Sequence, residues 1–363
     1  MTAVAVLGAG AGGAAAVVEL ARNGHRVRLW NRSAKTLEPF KAAGGVAYDG
    51  VLGTGHVTLN EISNDLAATL SGADVALVCL PTIVLGDVAR ALIEAGVGGI
   101  PVVLNPGHTG GALEMYNTFI EAATTPPPIA EFSTLTYVAR KYQPHCVTIT
   151  LVANRVWVAG MPNGERAVEA ARALYPAAQP AEDVLATSLS NVNLMLHPPG
   201  AVLGAAWVEA TGGDFTFYVE GMTPGVARVM RALDEERLSV ARAFGHDLPP
   251  LIEEMMAIGT VEATDARGGD YVEAIGGGRA NAKIKAPDSF GHRYYMEDFG
   301  HGLVPFLSLA AVAGVDAPVA AALTQLGGAM VGQSFFATGR TAERMGIGGR
   351  DKAGLLGYVR GAA

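Results

Sequence analysis

Val4–Gly13 reads VAVLGAGAGG, and the rest of the chain is organised around it. Val4, Val6 and Leu7 form a short uncharged run, the pattern of a strand buried on both faces. The run ends in Gly8, Gly10 and Gly13, a G-x-G-x-x-G, and AAAVVELARNG follows at once with helical spacing. Strand, glycine turn and helix are the three parts of a dinucleotide-binding βαβ opening. Gly8 makes the tight turn, Gly10 lets backbone approach a pyrophosphate, and Gly13 lets the helix lie close to the strand. With Ala9, Ala11 and Gly12 between them, these residues present free N–H groups at the helix's positive end. The competing view, a Gly/Ala-rich turn of no special use, does not account for all three parts coming in this order.

Composition sets the bounds. A chain of 363 residues is long for one core, so two domains are expected. Half the residues are hydrophobic, only 17% are charged and the mean hydropathy is +0.29, which describes a well-buried globular protein. A net charge of −8 with no Lys/Arg cluster excludes nucleic acid as the expected partner. Cys79 and Cys146, both in apolar strand-like runs, read as two buried free thiols in a reducing compartment. The first strand leaves no room for a signal peptide. Glycines break Ala3–Val18 as a membrane span, and Pro305, Asp316 and Pro318 interrupt Leu303–Gly332. The expectation is a soluble, cytoplasmic protein.

Asn23-Gly24 closes the first helix, and Arg26–Trp30 is the second strand. Its end, Asn31-Arg32-Ser33, lies about 20 residues past the glycines, where this fold reads the ribose. An Asp or Glu there would bind both ribose hydroxyls of NAD and repel a 2′-phosphate. This chain has neither, and Arg32 with the neutral donors Asn31 and Ser33 suits a phosphate, which favours NADP with NAD as the alternative. Arg32 as a plain solvated loop residue is the bland option. Further segments are a strand at Val57–Leu59, a helix at Asn64–Ser71, and a strand at Asp74–Leu80 ending at Pro81, a wall of the cofactor cleft. A helix at Leu85–Ala95 and a strand at Pro101–Leu104 complete a βαβ series, hence a doubly wound parallel sheet. Ile129–Phe132, Cys146–Val152 and Val156–Ala159 are expected as antiparallel additions to its edge.

After Tyr175 the β-branched runs disappear. Ala186–Ala210, Pro224–Phe244, Pro250–Ala263, Leu303–Ala313 and Val319–Val331 all carry helical spacing, and Thr223-Pro224 is a helix start. The boundary falls near 178–187, giving a Rossmann-type α/β domain over 1–182 and an all-helical domain over 183–363. Gly268–Gly302 is expected as a long glycine-rich loop holding His292, Arg293, Glu297 and Asp298, and such loops are usually functional. The apolar C-terminal helices offer a face for a homodimer.

A hydride-transfer enzyme also needs a group to hold substrate and a group to manage a proton. His25, His56, His145 and His246 sit in turn-like or polar contexts and read as surface residues. His108 follows the turn Asn105-Pro106-Gly107, a possible contact near the cleft. His197 ends the apolar helix SLSNVNLML directly before Pro198-Pro199, which predict a helix break that re-aims the side chain. A satisfied core histidine is the ordinary alternative. Arg293 can grip a carboxylate by two parallel bonds, and Asp298 can orient a histidine; equally, the two could close the loop as a salt bridge. No zinc spacing, P-loop or nucleophile elbow is present in the sequence.

Five segments together resemble the opine dehydrogenases of the octopine dehydrogenase type: NPGHTGG (Asn105–Gly111), AEFSTLTYVAR (Ala130–Arg140), NVNLMLHP (Asn191–Pro198), KAPDSFGHRYYMEDFGHGLVP (Lys285–Pro305) and GRTAERMG (Gly339–Gly346). The resemblance spans both domains. It implies His197 as catalytic histidine, Asp298 as its acidic partner and Arg293 as the group meeting the substrate carboxylate. The implied reaction is reductive condensation of a 2-oxo acid, often pyruvate, with an amino acid through an imine held between the domains. Where many relatives read Y-A-C-R this chain has Tyr137-Val138-Ala139-Arg140, which bears on the shape of the substrate pocket. The alternatives are a hydroxy-acid or ketopantoate-type reductase, which would use a helix lysine that Ala186–Leu196 lacks, and a non-enzymatic NADP sensor.

Overall fold

The computed structural model describes residues 1–262, 270–278 and 281–361. They cluster into two compact units: Met1–Gly107 with Gly111–Val184, and His108–Gly110 with Leu185–Ala363. The sequence predicts one unbroken stretch over 1–182, whereas His108–Gly110 cluster with the helical unit. The reason is local hydrogen bonding: the Thr109 hydroxyl donates to the Ser188 carbonyl at 3.2 Å, and the Gly110 N–H donates to the Ser188 hydroxyl at 3.0 Å.

The first unit holds twelve described strands: β1 (Ala3–Leu7), β2 (Arg26–Trp30), β3 (Gly45–Gly50), β4 (Gly55–Thr58), β5 (Glu61–Ser63), β6 (Val75–Val78), β7 (Val102–Leu104), β8 (Ile129–Phe132), β9 (Tyr137–Gln143), β10 (Cys146–Val152), β11 (Val156–Gly160) and β12 (Ala178–Pro180). Eight form one sheet in the order β12-β11-β8-β7-β6-β1-β2-β5. Val4 of the fully buried β1 lies between Val27 and Val75 in parallel register. The chain leaves β1 towards β2 on one side and later returns to β6 on the other. β1 and β6 therefore flank a topological switch point, where such sheets bind ligands at their C-terminal ends.

β11 runs antiparallel to β8, while β8 itself continues the parallel series beside β7. β10 corrects the sequence expectation. It joins a second sheet, β4-β3-β10-β9, pairing with β9 as a hairpin and with β3 in parallel. The helix Ala11–Arg22 packs against strands of both sheets. Apolar surface on both sides explains why its residues Gly13–Val18 are buried without interruption. β3 and the helix Ala34–Ala43 have weak sequence signals, because Pro39 lies inside that helix and β3 reads GVAYDG.

The second unit is helical. Helix Pro224–Ala243 starts as the sequence predicts, with the Thr223 hydroxyl accepting the Val226 N–H. Its fully buried Arg237 donates to Asp234 at 2.7 Å, to the Leu189 carbonyl at 3.1 Å and to the Pro249 carbonyl at 2.7 Å. Both charges are thereby paired, and the guanidinium ties down the chain just before the helix Val192–Leu203.

Several expectations need correction. The helix predicted over Ala186–Ala210 is three: Val184–Leu189, Val192–Leu203 and Ala205–Thr211. The breaks fall at the Asn191 cap and at Gly204, while the helix continues past Pro198 and Pro199. Proline φ is compatible with a helix; these rings remove two N–H donors and crowd the carbonyls of Leu194 and Met195, yet the helix continues to Leu203. The helix predicted to Ala263 ends at Ile258, and Ala263 lies outside the described residues.

Within the predicted loop, Gly268, Gly269, Arg279 and Ala280 also lie outside them. The described part forms helices Tyr271–Gly277 and Arg293–Met296 and a π-turn, Phe299–Leu303. Asp270 and His292 cap the two helices with their side chains, a local signal that overrides the glycine content. His246 is buried rather than at the surface, His25 and His145 are half-buried, and His56 is exposed. Cys79 and Cys146 are free but only partly buried. No described helix is long and apolar enough to cross a membrane.

Candidate active site

The candidate cofactor cradle forms first, because β1 ends in glycine. Gly8 has φ +123°, a conformation that side chains disfavour, and a Cβ there would meet the Cys79 carbonyl oxygen at 2.3 Å. A Cβ on Gly13 would lie 1.9 Å from the Gly8 carbonyl oxygen, so the helix can approach the turn only without a side chain. A Cβ on Gly10 would meet nothing within 4 Å, which leaves open space over the helix's first turn. No acidic residue competes for that turn. The Ala9 N–H donates to Asn31 Oδ1 at 3.3 Å, and Lys141 Nζ donates to the Ala9 carbonyl at 3.2 Å. The glycine turn is thus held from β2 and from the second sheet. No sequence motif marked Lys141 for this task.

A cavity of about 280 Å³ adjoins the cradle, lined by Trp30, Asn31, Arg32, Ser33, Leu80, Pro81, Val84 and nearby helix residues. Arg32 is exposed and makes no ion pair or side-chain hydrogen bond among the described residues. Ser33 accepts the Thr36 N–H at 3.3 Å as a helix cap, so its own proton can point outward. Asp87, the carboxylate among the lining residues, pairs with Arg90 at 2.6 Å. An apolar slot, an open helix N-terminus and an unpaired arginine fit a dinucleotide with a phosphate near Arg32.

The second cluster belongs to the helical unit. Asn191 caps the helix Val192–Leu203 by accepting the Asn193 N–H at 3.2 Å, and His197 sits in its middle, 4% exposed. Asp298, where the helix Arg293–Met296 passes into the π-turn, places Oδ2 2.6 Å from His197 Nδ1. The Tyr295 hydroxyl donates to the Ala201 carbonyl at 3.1 Å, fastening the Asp298 segment to the His197 helix. His197 Nε2 is 2.8 Å from the Tyr218 hydroxyl, which lies 3.3 Å from the Tyr294 hydroxyl. Tyr294 stacks on the imidazole, centroids 3.6 Å apart and planes 17° from parallel.

Arg293 does not pair with Asp298; it donates to Glu297 at 3.2 Å. Its side chain is 45% exposed whereas that of Glu297 is 5% exposed, so the guanidinium keeps an open side. Burial pushes the Glu297 carboxyl up to about 7 against the opposing pull of Arg293. His108, in the left-handed region at φ 58°, is buried, and burial pushes its imidazole down to about 4; the charges of Asp298 and Arg293 reach it. Arg340, fully buried, donates to the Thr109 carbonyl at 2.7 Å and so holds the His108 segment in this unit. His301 is pushed down to about 2 by burial and by Arg340 and Arg344.

His197 and Asp298, 101 residues apart, thus come together in the unit that also holds Arg293. Tyr218 and Tyr294 complete the cluster; Tyr294 lies within the Lys285–Pro305 segment but was given no role, and Tyr218 carried no signal, since an isolated tyrosine in FTFYVEG has no spacing to mark it. Chemically, an oriented imidazole with a carboxylate behind it can move a proton, and an accessible arginine can hold an anion. Among the described residues no group of His, Cys, Asp and Glu is arranged to hold a metal ion.

Comparison with known proteins follows the same division. The family described as NAD/NADP octopine/nopaline dehydrogenase, alpha-helical domain, matches residues 180–331. The family described as ketopantoate reductase PanE/ApbA matches residues 4–104. An opine dehydrogenase of Arthrobacter sp. (strain 1C) is 32% identical over 98% of this chain and 98% of its own. A vitopine synthase of Allorhizobium ampelinum is 23% identical over 83% of this chain and 82% of its own. Among solved structures, octopine dehydrogenase with NADH and L-arginine superposes with a TM-score of 0.78 at 21% identity, covering 98% of each chain.

Proposed function

The chain belongs to the opine dehydrogenase family, and from that premise we propose that it condenses a 2-oxo acid with an amino acid and reduces the resulting imine, an oxidoreduction at a CH–NH group. The observation that carries the reading is the buried His197–Asp298 pair at 2.6 Å beside the accessible Arg293. Gly8–Gly13, Asn31–Ser33 and Pro81 are the residues we assign to the dinucleotide. When bound, a reduced nicotinamide supplies the hydride. Asp298 accepts the Nδ1 proton of His197 and fixes its tautomer, leaving Nε2 as the basic nitrogen. Arg293 takes a substrate carboxylate. Glu297 accepts from the guanidinium on its buried side, which leaves the exposed side of Arg293 for the substrate.

The test is oxidation of NADPH or NADH with pyruvate alone, then with pyruvate plus each amino acid. Turnover that needs both partners is the expected result. Turnover with the keto acid alone would instead favour a hydroxy-acid reductase, and binding without turnover a sensor. For the cofactor we propose NADP over NAD, supported by the unpaired Arg32 and the absence of an acidic residue at 31–33. Arg32→Ala should lower kcat/KM for NADPH by about 10- to 100-fold, the worth of charged hydrogen bonds, and spare NADH. An unaltered NADPH/NADH ratio would refute this. The reading includes a cytoplasmic homodimer, with exposed Leu203, Trp207, Leu326 and Phe336 on the helical unit as the apolar side chains available to pair.

A further inference from the structure

The lone pair on which the dyad depends is covered. A carboxylate only accepts, so the His197 Nδ1–H donates to Asp298 and the neutral imidazole carries no hydrogen on Nε2, which must accept. The neighbour at 2.8 Å is the Tyr218 hydroxyl, which therefore donates its single proton to Nε2. The Tyr294 hydroxyl, 3.3 Å from Tyr218, must then donate to the Tyr218 oxygen. The result is a directed chain, Tyr294 to Tyr218 to His197 to Asp298, in which the imidazole and both phenol rings are at most 5% exposed. If the imidazole takes a proton, Nε2 becomes a donor and the hydroxyl between them reverses.

We propose that Tyr218 is a further catalytic residue, the hydroxyl through which protons pass between His197 and the reacting substrate atoms. This rests on the opine dehydrogenase reading. The steps balance without any group beyond the substrates. The ammonium of the amino acid gives one proton to the Tyr218 oxygen as the phenol proton moves to Nε2, leaving a neutral amine and an imidazolium. The amine nitrogen attacks the keto carbon, the C=O pair moves to oxygen, and an N–H proton shifts to that oxygen to give a carbinolamine. Tyr218 then gives its proton to the hydroxyl and recovers one from Nε2. The C–O bond breaks, water leaves, and the nitrogen lone pair forms the C=N bond of an iminium. The net change is ammonium plus ketone to iminium plus water, with the dyad restored. Tyr294 stacks on the imidazole and sets its plane, next to the Arg293 that holds the carboxylate. It is a positioning residue.

The test is Tyr218→Phe, which keeps the ring and its edge contact with Phe217. Steady-state turnover with keto acid and amine is expected to fall about 100-fold in kcat with KM for both substrates little changed. The pH–rate profile is expected to move, because the imidazole loses a donor that favours its neutral form. In ¹⁵N-histidine NMR of the full chain, the Nε2 resonance of His197 should change from a hydrogen-bonded to a bare lone pair. An unchanged kcat with lowered KM would mean that Tyr218 merely plugs the site, and it overturns the proposal. An unchanged Nε2 resonance also overturns it, and that reading needs no substrate. Wild-type turnover without an amine would instead bring down the opine reading itself, a result the NMR does not touch.

Discussion

His197→Ala lowers kcat by about 10²–10⁴-fold, the range over which a positioned acid–base group contributes. The loss should appear in kcat for imine reduction and in the reverse oxidation of the opine, since one group serves both directions. Cofactor affinity, read by quenching of intrinsic fluorescence on titration with NADPH, should be unaltered. The physical reason is separation of labour: the cradle is built from Gly8, Gly10, Gly13 and β2 in the first unit, while His197 belongs to the second. Removing the ring also strips Asp298 of its hydrogen-bond partner and Tyr294 of its stacking surface, so folding must be checked by melting temperature. His197→Gln, which keeps a polar side chain of similar reach, serves as the control. Turnover within a few-fold of wild type in a folded His197→Ala protein would remove the histidine from the mechanism.

The glycine turn was legible in the sequence because its constraints are local. Gly8 and Gly13 are required by backbone contacts a few residues or one strand away, and such constraints leave a short motif. The parallel series through β1, β2, β6 and β7 was legible for the same reason: buried strands are apolar runs with clear ends. β10 was misplaced because an alternating strand says which face is buried but not which sheet supplies its partner. At the candidate site the division is sharper. His197 stood out as a polar group on an apolar helix, yet the expected break at Pro198-Pro199 is absent, and what aims the ring is Asp298 and the stacked Tyr294. Residue resemblance, rather than spacing, joined His197 to Asp298 across 101 positions. Tyr218 lay beyond both kinds of reading, since its role depends on a distance that only the folded chain sets.

Asp298→Asn is expected to cost about 10²–10⁴-fold in kcat with little change in the shape of the site, and the reason is tautomeric. The carboxylate accepts the Nδ1 proton, so the neutral imidazole keeps its lone pair on Nε2. An amide at the same place can turn its NH₂ towards Nδ1 and favour the opposite tautomer, with the proton on Nε2. That proton then faces the Tyr218 hydroxyl at 2.8 Å, and two donors meet unless the phenol turns away. The variant therefore loses the base and reverses the Tyr218 chain in one change, while the buried imidazolium that forms in turnover loses its counter-charge. Histidine ¹⁵N shifts report the tautomer directly, and kcat reports the consequence. Combining His197→Ala with Asp298→Asn should cost no more than His197→Ala alone, because residues that act as a unit are not additive. If the two losses multiplied instead, Asp298 would have a second task independent of the imidazole, and the dyad would be the wrong description of the pair.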